Sequence, residues 1–237
     1  EITVRIVYEG RAAKVILDNA KLEEIEAYYQ QCADEGSNEH QIEESKKASA
    51  NMTSILGDPD RIRALAKDFV AHYEARIEEG STIKGKAMFV SSAREVAYLF
   101  YQELKGLRPA WFEVKEAEDV ESYSEQERKR AISTGKLAKP MERVKMVMTR
   151  GKDDPKELWD LLGTKEYRKE LDRQFKNEKS NFKIAIVVDI WLTGFDVPFL
   201  DTIYIDKPIQ RHNLIQTISR VNRKFEGKDK GLVVDYI

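Results

Sequence analysis

The stretch KIAIVVDIWLTGFDVP, residues 183–198, joins an unbroken apolar run to a polar loop and decides the fold class. Its residues 184–188 are only Ile, Ala and Val, which is typical of a strand buried on both faces. Similar short runs recur at 87–90, 143–148, 202–205 and 232–234, with helical patterns between them at about 93–105, 155–178 and 212–223. Strands that alternate with helices predict an α/β fold, a parallel sheet covered by helices on both faces.

The first 80 residues differ in character from the rest of the chain. Residues 2–8, ITVRIVY, alternate and predict a strand, and residues 18–79 are highly charged and helical. The clearest helix begins at the N-cap pair Asp58-Pro59. Its apolar stripe is predicted to be Ile62, Leu65, Ala66, Phe69, Tyr73 and Ile77. We therefore predict a strand with a helical arm or connector over 1–80 and an α/β lobe over 81–237, with a charged surface insertion near 113–142.

The charge balance indicates no binding to nucleic acid by bulk charge alone. Lys and Arg total 40 against 42 Asp and Glu, a net charge of −2, although a local groove needs only a few cations. The single cysteine, Cys32, allows no intrachain disulfide and indicates a reducing compartment, so we expect a cytoplasmic protein. No apolar run approaches the roughly 20 residues that cross a bilayer, so no membrane partner is expected. Both ends lie in apolar runs, which predicts a fragment of a longer polypeptide.

The segment HNLIQTISRVNR, residues 212–223, is the most informative candidate site. On one continuous helix, Gln216, Arg220 and Arg223 fall within about 60° of one another, while Leu214, Ile218 and Val221 face the sheet. Within this segment no acidic residue stands three or four positions from either arginine to pair with it. Because two unpaired cations on adjacent turns repel each other, we expect an anion from outside the chain between them. The alternative is an ordinary solvated helix face.

The loop after the strand at 184–188 is a second candidate site. Thr193 and Gly194 offer a hydroxyl and backbone N–H groups, which suit phosphate oxygens. Asp196 is suited to accept a hydrogen bond from a ribose hydroxyl or from an arginine. The alternative is a simple turn. In open parallel sheets, ligands gather at the loops after the carboxyl ends of the strands, which here also contain Ser91, Ser92 and Thr149.

Three other patterns resemble known sites and are rejected. Residues 80–87, GSTIKGKA, nearly spell a phosphate-binding P-loop, but a helix precedes them and a strand follows, which is the reverse of the required order. Asp189 resembles an aspartate that binds magnesium at the end of a strand, but the P-loop that such a site requires is absent. The histidines at 40, 72 and 212 show no metal-ligand spacing with Cys32, so no metal site is predicted in this chain.

Several motifs together resemble the motor subunit of type I restriction enzymes. They are WLTGFDVP (191–198), YIDKP (204–208), HNLIQTISRVNR (212–223), GLVVDYI (231–237), YEGR (8–11) and KAMFVSSAREVAYLF (86–100). The resemblance covers nearly all the chain and is weakest at 18–56 and 113–142. It implies the second RecA-like lobe of a superfamily 2 helicase-like translocase, in which two lobes clamp ATP between them.

The resemblance also implies roles for individual residues. Arg220 and Arg223 match the catalytic arginines of helicase motif VI, which Gln216 begins. Thr193, Gly194 and Asp196 match motif V, in which Gly194 and Asp196 face the nucleotide and Thr193 faces DNA. Ser91, Ser92 and Thr149 match further DNA-backbone positions. ATP and Mg²⁺ would be held mainly by the other lobe, because the P-loop, the DEAD-type box and the nuclease site are absent from these 237 residues. The fragment alone is therefore expected to be inactive.

The expected partners are double-stranded DNA and the specificity and methyltransferase subunits of a restriction-modification complex. Three alternatives stay open at this point. The chain is also compatible with a strand-separating helicase or chromatin-remodeller lobe, which a strand-displacement assay on forked duplex would distinguish. A non-enzymatic subunit-interaction module would show no nucleotide-dependent change when Gln216 or Arg220 is altered. A small-molecule α/β enzyme is disfavoured because no glycine-rich nucleotide loop follows a strand.

Overall fold

The computed structural model describes residues 3–15, 23–25, 27–28, 39–191, 195–208 and 211–237. Its strands are β1 (Arg5–Gly10), β2 (Ala87–Ser91), β3 (Val144–Val147), β4 (Ile184–Val187), β5 (Thr202–Asp206) and β6 (Lys230–Asp235). They form one parallel sheet in the order β1-β6-β5-β2-β4-β3. Every apolar run singled out in the sequence therefore becomes a strand, because each run is long enough to cross the sheet and apolar enough to be covered on both sides.

Helices cover both faces of this sheet. They are α1 (Glu39–Leu56), α2 (Pro59–Glu78), α3 (Arg94–Leu107), α4 (Glu125–Ser133), α5 (Lys156–Leu162), α6 (Lys165–Phe175) and α7 (Arg211–Ile218). Apolar residues of α1, α2, α3 and α5 form the core on one face, and those of α6 and α7 pack on the other. Strand β2 serves both cores, since Phe89 points to the first and Met88 to the second. The predicted α/β fold class is confirmed.

Helix α2 begins as its sequence predicts. The Asp58 carboxylate accepts hydrogen bonds from the backbone N–H groups of Asp60 and Arg61, both at 3.1 Å. The predicted apolar stripe is buried up to Tyr73, but Ile77 is 44% exposed and its inclusion in the stripe was wrong. Val70 belongs to the buried face instead.

The helical pattern predicted over 155–178 forms two helices, α5 and α6. Gly163 adopts a left-handed φ of 68° at the end of α5, a conformation that glycine accepts without strain. Thr164 then caps α6, its side chain accepting a hydrogen bond from the Tyr167 N–H at 3.2 Å. The Gly-Thr pair thus ends one helix and starts the next, although the pattern of charged and apolar residues continues across it.

The charged segment 113–142 has a small core of its own. Lys115 and Met141 close its base by two backbone hydrogen bonds of 3.0 and 3.1 Å. Ala117, Val120, Ala131, Leu137 and Ala138 are buried together inside it. Helix α4 opens with a capping box between Ser124 and Glu127. The segment is therefore a folded insertion between α3 and β3.

The N-terminal strand and helix α2 belong to the same packed unit as the lobe. β1 pairs with β6 along six residues, and Phe69 of α2 lies in one core with Phe89 and Phe100. The domain division near residue 80 stays a prediction. The predicted helical arm lies partly outside the described residues, and within them α1 packs Met52 and Leu56 into the core. None of the helices described here is long and apolar enough to span a membrane.

Candidate functional site

Helix α7 ends five residues before the sequence predicts. It stops at Ile218, and the chain continues in a turn in which Arg220 N–H donates to the Thr217 carbonyl at 3.2 Å. The turn is drawn toward the start of β1, because Val4 N–H donates to the Asn222 carbonyl at 2.6 Å. Arg220 and Arg223 therefore do not share a helical face with Gln216, and that prediction was wrong. The apolar side behaves as expected, since Val221 is fully buried beneath the sheet.

Two consecutive residues, Phe195 and Asp196, bind both arginines. Arg220 Nη1 donates to the Phe195 carbonyl at 3.0 Å. Arg223 reaches the Asp196 carboxylate with Nε at 3.2 Å from Oδ1 and Nη2 at 3.3 Å from Oδ2. Neither arginine is therefore without a partner, and Asp196 accepts from an arginine, which is one of the two roles that its sequence position predicts. The structure instead brings together two candidate segments that are distant in sequence, the loop after β4 and the turn after α7.

The Arg223–Asp196 pair is exposed to solvent. The Arg223 side chain is 46% exposed and the Asp196 side chain 53%. Exposed ion pairs of this kind contribute only about 0.2–1 kcal/mol, because water screens the charges. A more strongly charged group, such as a phosphate, can therefore replace Asp196 at little cost. In this geometry Arg223 is held by Asp196 of its own chain, and its guanidinium can leave Asp196 to bind an incoming anion.

Of the three remaining candidates in these two segments, the structure describes Gln216 but not Thr193 or Gly194. Gln216 lies half-buried on α7, and its backbone carbonyl accepts a hydrogen bond from Ser219 Oγ at 2.7 Å. Thr193 and Gly194 lie outside the described residues. Their neighbours Trp191 and Phe195 are described, and both rings pack into the core on the α6 side of the sheet.

Ser91, Ser92 and Thr149 differ sharply in exposure. Ser91 ends β2 and its side chain is fully buried in this structure, while its contact with DNA stays a prediction. Its Oγ and that of Ser92 have no hydrogen-bond partner among the described residues. Thr149 is exposed, and its carbonyl accepts from Arg94 Nη1 at 2.6 Å. Arg94 also pairs with Asp154, so it ties the loop after β2 to the loop after β3.

Sequence reasoning missed a buried ion pair at the carboxyl end of β5. Arg61 of α2 donates to both oxygens of Asp206, and their side chains are 2% and 0% exposed. Arg61 also donates to the Leu56 carbonyl at 3.1 Å. A signal existed, since Arg61 lies one turn before Leu65 on the apolar stripe of α2, where an arginine requires a buried partner. Nothing in the sequence identified Asp206, which lies 145 residues away, as this partner.

The near-P-loop at residues 80–87 has the order of elements that the sequence predicts. Residues 80–87 run from the end of α2 into β2, so they do not form a P-loop. Lys86 is instead buried among the rings of Phe175, Phe182 and Phe199, which lowers the pKa of its ammonium well below the usual range by desolvation. Asp189 pairs with Lys207 at 2.7 Å. Across the described ranges, His, Cys, Asp and Glu form no group that could hold a metal ion.

Comparison with known proteins gives consistent matches along the chain. It is 35% identical over 200 residues to the type I restriction enzyme HindI endonuclease subunit of Haemophilus influenzae, covering 83% of this chain and 16% of that protein. It is 32% identical over 238 residues to the putative MjaIXP endonuclease subunit of Methanocaldococcus jannaschii, covering 100% of this chain and 19% of that protein. The chain thus spans less than a fifth of these relatives.

A solved structure has a similar fold. A fragment of a putative HsdR subunit of a type I restriction enzyme from Vibrio vulnificus YJ016 superposes with a TM-score of 0.51 at 13% identity, over 99% of this chain and 32% of that one. Residues 83–237 match the family described as type I restriction enzyme subunit R, domain 3. Given this match and the identity to two endonuclease subunits, the chain belongs to the R-subunit family of type I restriction enzymes.

Proposed function

We propose that this chain is the second motor lobe of an ATP-dependent DNA translocase, within the R subunit of a type I restriction enzyme. One observation carries the proposal. Arg220 and Arg223 are both bound to the loop that follows β4, on the consecutive residues Phe195 and Asp196. Two guanidiniums from one turn, one of them in an exposed ion pair, are suited to receive a triphosphate from a facing lobe.

The arginines would act by charge stabilisation. ATP and Mg²⁺ would be held mainly by the facing lobe, since these 237 residues contain neither the P-loop nor the DEAD-type box. On lobe closure Arg223 would exchange Asp196 for the γ-phosphate, and Arg220 would approach the nucleotide while its Nη1 keeps the hydrogen bond to the Phe195 carbonyl. Asp196 would then be available to a ribose hydroxyl. An arginine in such a position accelerates phosphoryl transfer on the order of 10³–10⁵-fold in GTPases.

The DNA contacts are proposed for the loops that follow β2, β3 and β4 in the same lobe. Ser91, Ser92, Thr149 and Thr193 are the candidates for phosphate contacts; of those described, Thr149 is exposed and the Oγ atoms of Ser91 and Ser92 are buried. Contacts to phosphates carry no sequence information, so this lobe would follow double-stranded DNA without recognising a site. Recognition would belong to the specificity subunit, and modification to the methyltransferase subunit, of a restriction-modification complex. The fragment alone would not hydrolyse ATP.

The proposal predicts that Arg223→Ala, in the full-length subunit, abolishes DNA-stimulated ATP hydrolysis. We expect a loss in kcat on the order of 100-fold or more, with the Kd for DNA changed less than about threefold, because the arginine acts on the nucleotide alone. Steady-state ATPase assays and DNA-binding titrations measure the two quantities.

The matched control is Arg173→Ala. Arg173 is also a surface arginine paired with an acidic neighbour, Glu170, but it lies on α6. It should leave both quantities within about twofold of the wild type. Ordinary ATP turnover in Arg223→Ala would remove the arginine from its proposed role and favour a non-enzymatic interaction module.

A further inference from the structure

Trp191 has a backbone conformation that large side chains rarely adopt. Its φ is 67°, and among the described residues it is the only one other than glycine with a positive φ. A bulky residue is strained in this left-handed region and stays there only when its surroundings hold it. Trp191 follows β4 and precedes the Phe195-Asp196 pair that binds the two arginines. The strain therefore lies next to the candidate site.

A stack of aromatic rings holds Trp191 in place. Its ring lies 4.3 Å from that of Phe195 with an angle of only 4° between the planes. Phe175 of α6 packs against both rings, at 5.5 Å from Trp191 and 5.9 Å from Phe195. The Lys176 ammonium lies 5.1 Å from the centre of the Phe195 ring. Phe195 is only 4% exposed, so its ring is fixed between Trp191 and the helix.

The fixed Phe195 ring determines where its backbone carbonyl lies. That carbonyl accepts the hydrogen bond from Arg220 Nη1 at 3.0 Å. Asp196, the next residue, receives Arg223. A side chain that immobilises Phe195 therefore immobilises the acceptor on which Arg220 rests, although it touches neither arginine in the contacts described. Stacked aromatic pairs contribute orientation beyond their buried area, because the ring quadrupoles prefer particular geometries.

We infer that Trp191 is a positioning residue for Arg220. It acts through the Phe195 stack, which keeps the guanidinium oriented for the transition state of phosphoryl transfer. The inference rests on the proposed function, since it assigns a purpose to the orientation of Arg220. We assign Trp191 a positioning and not a catalytic role, because its described ring contacts are with Phe175 and Phe195. Its loss should lower kcat more than it raises KM, since orientation matters most in the transition state.

The test compares Trp191→Ala and Trp191→Phe in the full-length subunit. Trp191→Ala removes the stacked ring, and we expect kcat for DNA-stimulated ATP hydrolysis to fall about tenfold while KM changes less than about threefold. Trp191→Phe keeps a ring over Phe195 and should restore kcat to within about threefold of the wild type. If Trp191→Ala does not fold, Trp191→Gly replaces it, because glycine accepts a φ of 67° without strain.

Trp159→Ala is the matched control. Trp159 lies on α5, which packs on the face of the sheet opposite to Phe195. Its side chain is 40% exposed, and the Arg150 guanidinium lies over its ring. Its removal should leave kcat within about twofold. Wild-type kcat in both Trp191→Ala and Trp191→Gly would overturn the inference.

A double-mutant cycle separates positioning from a merely structural effect. Arg220→Lys keeps the charge but loses the guanidinium geometry, and it should itself lower kcat. If Trp191 acts through Arg220, Trp191→Ala should cost little more in the Arg220→Lys background. Full additivity of the two effects would overturn the inference. Unchanged turnover in Arg220→Lys alone would instead contradict the proposed role of Arg220, so the two failures are distinguishable.

Discussion

At the scale of single residues, Arg11 of the YEGR motif takes part in a hydrogen-bond network that joins three segments of the chain. Its guanidinium binds Asp68 of α2 with two hydrogen bonds of 2.7 Å and reaches Glu9 at 2.7 Å. Tyr236, just after β6, donates to the same Asp68 carboxylate at 2.8 Å. Burial acts to raise the pKa of Asp68, but the hydrogen bonds from Arg11 and Tyr236 outweigh it and hold that pKa below its usual range. These residues therefore join β1, α2 and the segment after β6.

The lowered pKa gives a prediction for Asp68→Asn. At pH 7 the substitution should lower the free energy of unfolding by about 2 kcal/mol, because it removes the charge from hydrogen bonds that Arg11 and Tyr236 make. An acid with a lowered folded-state pKa stabilises the fold above its unfolded pKa of about 3.9, and this contribution is lost as the pH falls through the lower folded value. The difference between wild type and variant should therefore shrink below about pH 4.

Urea unfolding between pH 7 and pH 3 measures this difference. Asp172→Asn is the control, because Asp172 pairs with Lys176 on the surface of α6. It should change the free energy of unfolding by less than about 0.5 kcal/mol at any pH. A difference for Asp68→Asn that stays constant with pH would contradict the account of Asp68.

At the scale of elements, the turn after α7 packs directly against the start of β6. A Cβ atom on Gly231 would lie 2.2 Å from the Val221 carbonyl oxygen, closer than any real contact. The backbone of the turn that carries Arg220 and Arg223 therefore requires glycine at this position of the strand. The loop after β4 contacts the turn from its other side through the Phe195 carbonyl. Two elements thus fix the turn.

Gly231→Ala should therefore displace the turn. We expect a loss of about 1–3 kcal/mol in the free energy of unfolding, because the clash involves backbone and not a flexible side chain. ATP hydrolysis by the full-length subunit should fall as well, since both arginines move with the turn. Denaturant titration and ATPase assays check the two effects.

Gly106→Ala is the control for this substitution. Gly106 lies in α3 with nothing within 4 Å of the added Cβ. Alanine there should be neutral or stabilising by up to about 1 kcal/mol, because it favours the helix. Gly231→Ala with wild-type stability would show that the turn is not fixed by β6.

At the scale of the whole molecule, the first 80 residues complete the core of the lobe. The Phe69 ring lies 4.7 Å from Tyr204 of β5 and 5.5 Å from both Phe89 of β2 and Phe100 of α3. The buried pair Arg61–Asp206 joins the same helix to the end of β5. Removing α2 would expose these rings and leave the Asp206 carboxylate buried without its partner, which is costly.

A chain of residues 81–237 is therefore predicted to lose cooperative unfolding. We expect a broad, low thermal transition or aggregation, compared with one sharp transition for residues 1–237, because the apolar face of the sheet loses its cover. Circular dichroism during heating and size-exclusion chromatography measure this. The same sharp transition in both chains would support an independent domain that begins near residue 81.

The sequence by itself determined the six strands, the cap at Asp58 and the family. These features are local, since each follows from residues within one segment: an unbroken apolar run, an Asp-Pro pair, a motif of fixed spacing. Only the tertiary structure decided where α7 ends, that Ser91 is buried, that Arg61 meets Asp206, and that both arginines rest on Phe195 and Asp196. The reason is physical. Each of these results from a contact between segments far apart in the chain, and such contacts outweigh the local preference for a longer helix or an exposed loop.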